Sequence, residues 1–180
     1  MKENEKLPDE YGFIRYEDVD EIDASQIKPC KDVSFYTDKG DKNLIISGYL
    51  PITKSITVWG YKSADVSSLR IPNGTTVLFV HVRKIIGINE FAKNNLPFKY
   101  DFCESNISCL TEEFWSALSK DVRMVIDHCR GLKSIKGLAG IHTLNFFSSY
   151  IKDEDATNLS KCQYAYYRCK DMGYKESESM

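Results

Sequence analysis

Two apolar segments near the end of the chain superpose on one another. Leu138-Ala-Gly-Ile-His-Thr-Leu-Asn-Phe-Phe147 and Leu159-Ser-Lys-Cys-Gln-Tyr-Ala-Tyr-Tyr-Arg168 put Leu138 on Leu159, Ile141 on Cys162, Leu144 on Ala165 and Phe146 on Tyr167, 21 residues apart each time. A period of this size constrains a fold more than any other feature here. A unit of about twenty residues cannot bury its own apolar side, so it gains stability only by stacking on copies of itself.

The spacing extends through most of the sequence. Short runs rich in β-branched and aromatic residues, each fit for a strand, lie at Val33–Thr37, Leu44–Ser47, Ile56–Gly60, Val77–Val82, Phe98–Phe102, Val122–Asp127, Ile141–Phe147 and Gln163–Arg168. With Val58, Val80, Tyr100, Ile126, Phe146 and Tyr167 taken as equivalent, the steps are 22, 20, 26, 20 and 21 residues. Two positions before them stand Ile56, Leu78, Phe98, Met124, Leu144 and Ala165, all apolar. Three positions after them stand Tyr61, Arg83, Cys103, Cys129, Ser149 and Lys170, and two further on Ser105 interrupts an otherwise apolar tendency. Between strands, Thr111-Glu-Glu-Phe-Trp-Ser-Ala-Leu118 predicts a helix with a Thr N-cap and acidic first turn, and Asp153–Leu159 a weaker one.

Over residues 50–172 these columns resemble the leucine-rich-repeat family in a degenerate bacterial form. Cys103 and Cys129 meet its Asn/Cys position, while most of that column departs from the pattern. The resemblance implies an α/β fold: a short leucine-rich-repeat solenoid with a parallel sheet of about six coils. The alternative is a mixed α/β domain whose strands are spaced by chance. The runs at 33–37 and 44–47 are too close together for a full coil and predict an N-terminal β-hairpin cap. The expected organisation is an acidic N-terminal arm at 1–28 with one short element near Phe13–Tyr16, then a repeat domain at 29–172 (cap 29–49, repeats 50–172), then a polar tail at 173–180.

Composition narrows the function. With 42% hydrophobic and 28% charged residues the chain reads as globular, and a net charge of −2 gives no electrostatic reason for direct nucleic-acid binding. A charged start without an apolar signal and the lack of an apolar run of membrane-spanning length predict a cytoplasmic protein with no membrane association. The six cysteines contain no Cys-x-x-Cys and no His at zinc-ligand spacing, so they read as reduced, core-packing thiols; no metal or cofactor is expected. Glycine-rich phosphate loops, H-E-x-x-H and G-x-S-x-G are all missing from the sequence. No enzymatic activity is expected, the alternative being an unfamiliar enzyme using His81 and Asp127 as an acid/base pair.

Strand parity sorts core from surface. The outward set reads as Trp59, Phe79, His81, Lys99, Asp101, Arg123, Asp127, Asn145, Phe147, Tyr164, Tyr166 and Arg168, with Thr57, Val125 and Thr143 among them. Aromatics interleaved with charges on an exposed face make the composition of a protein-binding surface, unless a helix or the N-terminal arm covers them. Size, acidic balance and degenerate repeats resemble bacterial immunity proteins of contact-dependent growth inhibition. What that resemblance implies is a monomer that neutralises a cognate toxin domain in a tight 1:1 complex, the partner being basic and an EndoU-type ribonuclease toxin the first candidate. A scaffold or effector that binds another protein is the alternative.

Overall fold

The computed structural model describes residues 6–132 and the strand backbones at Thr143–Phe147 and Ala165–Arg168. The fold is α/β with parallel sheets. Eight strands form the long sheet: β1 (Phe13–Glu17), β3 (Asp32–Tyr36), β5 (Ser55–Trp59), β8 (Thr76–Val80), β10 (Lys99–Cys103), β11 (Arg123–Asp127), β12 (Thr143–Phe147) and β13 (Ala165–Arg168). They stand side by side in chain order, every neighbouring pair parallel. A parallel neighbour requires the chain to return to its starting end, and the connecting segments build the opposite layer. There β2 (Glu21–Asp23), β4 (Asn43–Tyr49), β6 (Ser63–Asp65) and β9 (Ile85–Ile86) form a second parallel sheet, with β7 (Leu69–Arg70) also paired to β4. Further along, α1 (Ile88–Asn94) and α2 (Glu112–Ala117) take over that layer.

The core lies between the layers. In strands with the exposed–buried alternation of β1, one set of side chains enters it and the other faces out. The register makes Tyr16, Phe35, Val58, Phe79, Phe102 and Ile126 one buried column, continued at register positions Phe146 and Tyr167. Ile14, Val33, Ile56, Val77, Tyr100 and Met124 form the second. Neighbouring rings stack at one-strand spacing: Tyr16 on Phe35 and Phe79 on Phe102, both with centroids 5.6 Å apart. From the opposite layer Phe114 meets Tyr100 edge-on at 5.4 Å, which is why the helix predicted from Thr111 packs with Phe114 and Trp115 inward.

Several expectations are corrected. No hairpin forms at 29–49: both edges of β3 are taken by β1 and β5, so β4 crosses to the other layer and pairs there in parallel. Residues 13–26 are not a free acidic arm but supply β1, β2 and a 3-10 turn at Ala24–Gln26. Asp18 and Asp20 of the acidic run bond Lys39 and Lys42 at 2.6 and 3.1 Å. In β8, Thr76-Val-Leu-Phe-Val80 is apolar on both parities, and the fold buries Val77 and Phe79 rather than Leu78 and Val80. Phe98, taken as inner, precedes β10 and is 45% exposed. The inner column therefore steps from 79 to 102 to 126, which divides the irregular 20 and 26 almost evenly. The expected helix at 153–159 lies outside the described residues, as do Leu138 and Leu159.

Among the described residues, five of the six long-sheet strands end the same way, β3 being the exception. The residue after the strand takes a left-handed backbone at Asp18, Gly60, His81, Glu104 and His128 (φ 57°, 80°, 54°, 48° and 48°). The residue after that, in the passes from Gly60 onward, is buried: Tyr61, Val82, Ser105 and Cys129. This is where a side chain satisfies the loop backbone. Ser105 Oγ accepts the Val82 N–H at 3.0 Å and lies 3.1 Å from the Phe79 carbonyl, while Cys129 Sγ donates to the Phe102 carbonyl at 3.2 Å. Cys129 thus fills the loop-satisfying position, and Ser105, not Cys103, fills it one pass earlier. Cys103 ends β10 facing outward.

Two consequences can be measured. A Cβ on Gly60 would stand 2.0 Å from the Thr37 carbonyl oxygen, whereas one on Gly74 (φ 83°) meets nothing within 4 Å. Gly60→Ala is expected to destabilise by about 2–4 kcal/mol, and Gly74→Ala by the backbone strain alone, about 1–2 kcal/mol, in urea melts. Equal losses would mean that the close approach is not there. Burial pushes the Cys109 and Cys129 thiols up to about 11. At pH 8 only about a thousandth of either is thiolate, so iodoacetamide should spare both in the folded protein and label both in urea, read by peptide mass spectrometry.

Candidate functional site

The outward face of the long sheet carries a continuous stacked ridge. It begins with the Arg15 guanidinium, 3.7 Å from the centroid of the Tyr36 ring. Tyr36 lies against Trp59 with centroids 4.4 Å apart and planes 13° from parallel. Trp59 meets the His81 imidazole edge-on at 5.3 Å, and His81 Nδ1 is 3.4 Å from a Glu104 carboxylate oxygen. The register explains the row: Glu17, Tyr36, Trp59 and Val80 are the last residues of successive strands, so Tyr36 and Trp59 stand one strand apart. A left-handed His81 then tips its ring back toward Trp59.

The sequence-predicted residues divide accordingly. Trp59 and His81 belong to the ridge. Phe79 does not: it is fully buried, a correction that follows from the parity of β8. Lys99 and Asp101 both face outward and bond each other at 2.7 Å. Arg123 is exposed and covers the Phe98 ring at 4.6 Å. Asp127 lies 2.6 Å from His128 Nδ1, so His81 and Asp127 hold different partners and do not form the acid/base pair considered above. Asn145 and Phe147 fall opposite Val125 and Asp127 in register, and Tyr166 and Arg168 fall opposite Asn145 and Phe147. Tyr164 lies outside the described residues. Tyr36 and Arg15 are absent from the outward set read from the sequence, because their segments read there as a cap and an arm. The alternation Phe13-Ile-Arg-Tyr-Glu17 was the signal that could have found them.

Beside the ridge, at the carboxyl ends of β3 to β11, lies a cleft of 410 Å³. Trp59, His81, Arg83, Glu104, His128 and Arg130 line it together with the Thr37–Gly40 loop. Each of its histidines has Nδ1 against a carboxylate, Glu104 for His81 and Asp127 for His128, which leaves Nε2 as the ring nitrogen available to a ligand. The neighbouring Cys103 thiol is pushed up by burial and then by the carboxylate of Asp127, so it is a poor nucleophile.

Among the described residues no group of three or more His, Cys, Asp or Glu side chains is placed to hold a metal ion, and no helix is long and apolar enough to cross a membrane. No protein-family model matches the chain, no curated protein matches it, and no solved structure matches it.

Proposed function

We propose that this chain is a repeat protein of leucine-rich type and that it acts by binding another protein through the outward face of its long sheet. The solenoid reading is supported by the chain-ordered parallel register, whose inner column advances by 19 to 24 residues from one strand to the next. The observation that carries the binding reading is the stack of Arg15, Tyr36, Trp59 and His81 on a face that no described element covers. Arg, Tyr and Trp are the side chains that most often dominate binding energy, and here each holds the next in place before a partner arrives.

Size sets a further requirement. Eight strands about 4.8 Å apart and about 16 Å long project to roughly 550 Å². A stable complex buries about 800 Å² of accessible surface on each partner, so most of the outward face has to take part. Within this reading the partner is a toxin domain, and the protein is an immunity protein of the contact-dependent growth-inhibition kind that its sequence resembles. An EndoU-type ribonuclease domain remains the first candidate. The partner's charge has less support than the sequence suggested, because Asp18 and Asp20 are held by Lys39 and Lys42.

The test is co-expression with the product of the upstream adjacent reading frame, then affinity capture and growth rescue. Trp59→Ala and Tyr36→Ala should each weaken capture by about 2 kcal/mol or more, roughly thirtyfold, with an unchanged circular dichroism spectrum. Phe79→Ala, by contrast, should cost about 3–5 kcal/mol of folding stability. Full capture by the Trp59 and Tyr36 variants would remove the ridge from the interface. An upstream frame encoding an unrelated metabolic enzyme would remove the immunity role while leaving protein binding to be tested by capture from the source cell.

A further inference from the structure

The cleft at the carboxyl ends of the strands has an electrostatic balance that the ridge does not need. Two of the acidic side chains at it already have partners nearby: Glu104 faces His81, and Asp127 behind it faces His128. Its two guanidiniums do not. The Arg83 and Arg130 side chains make no hydrogen bond or ion pair with any described residue, although the Arg83 head group reaches back to within 3.2 Å of where a Cβ on Gly40 would stand. Both arginines follow the buried position of their turns, and between them in the ladder Asn106 bridges to Arg130 in parallel.

The backbone adds a second, independent observation. His81, Glu104 and His128 all hold positive φ, a conformation that favours glycine, and the same position one pass earlier is Gly60. Strained positions that keep functional side chains cluster where those side chains meet a ligand. Here the three fall on successive passes, and all three line one cleft. Its 410 Å³ lies within the range of sites for small molecules.

We propose that this cleft is a binding site for the phosphate group of a small organic phosphomonoester. A phosphate dianion offers three oxygens to receive donors; the cleft supplies two planar guanidinium forks, and the two imidazoles add Nε2–H donors in their protonated form. Trp59, on the adjoining wall, supplies apolar surface for the organic part of the ligand. The four donor side chains come from β8 and β11 turns two strands apart, about 9.6 Å, so a group lodged between them is held from both sides.

The experiment titrates the whole chain with inorganic phosphate, phenyl phosphate and a short single-stranded RNA at fixed ionic strength, following the His81 and His128 ring signals by NMR. Saturable shifts are expected with both phosphates, tighter for phenyl phosphate, and none with equal chloride. Arg83→Gln and Arg130→Gln should each weaken phosphate binding about tenfold or more, while Arg83→Lys and Arg130→Lys, keeping charge without the fork, fall between. Trp59→Ala should erase the preference for phenyl phosphate. Lys54→Gln, elsewhere on the surface, should change nothing. Lack of saturation by about 10 mM, equal affinity in the Gln variants, or tightest binding to RNA overturns the assignment. These titrations need no protein partner, so their failure and that of the ridge are separate results.

Discussion

The turns after β5, β8 and β10 depend on a reversal of hydrogen-bond direction. The N–H groups of Asp18, Thr37, Gly60, His81 and Glu104 point forward to the last carbonyl of the next strand, those of Tyr36, Trp59, Val80, Cys103 and Asp127. Two residues later the donors point back: Lys62 to Lys42, Arg83 to Tyr61, Asn106 to Val82 and Arg130 to Ser105. In a regular strand, N–H groups two apart point the same way, so the flip needs a residue outside the extended region. The left-handed residue provides it at Gly60, His81 and Glu104. Buried backbone groups have to be paired, and this reversal lets the chain leave one sheet for the other while each N–H still has an acceptor.

One turn thereby serves two surfaces. Its left-handed residue brings the His81 ring against Trp59 and so extends the outward ridge beyond the sheet. Its later residues send Arg83 and Arg130 into the cleft. At Gly60 the column holds glycine because a Cβ would strike the Thr37 carbonyl. The cost of His or Glu in this conformation is of order 1 kcal/mol per site, small beside the burial of the column of rings next to it.

How much of this was legible depended on whether the residue pattern had one solution. The parallel strands were readable because β-branched and aromatic runs recur at about twenty residues, and β5, β10 and β11 alternate cleanly enough to fix which side faces out. β8 did not, since five apolar or β-branched residues in a row satisfy either parity and only the register with Val58 and Phe102 decides for Phe79. The second sheet was hidden for another reason. β2, β6, β7 and β9 are two or three residues long, too short for any periodicity, and they exist because a neighbouring pass is already there to pair with. The cleft was illegible altogether, because Arg83, Glu104 and His128 converge only through stacking and share no local motif.

The outward face is also graded along the sheet, and the grading says where binding energy can come from. Around β3, β5 and β8 it presents Tyr36, Trp59, Leu78 and Val80, half-buried and largely apolar. To one side stand Arg15 and Glu17, bonded to each other at 3.0 Å, and to the other Lys99 and Asp101, bonded at 2.7 Å. Surface pairs of this kind contribute little on their own, and a partner charge that competed for one member would have to displace the other. An apolar centre ringed by self-satisfied charges matches the anatomy of a protein interface, with a core that supplies affinity and a rim that excludes water and selects orientation. The aromatic centre lies on β3, β5 and β8, so under the proposed binding role those strands anchor the partner and the charged strands beyond them govern how it is turned.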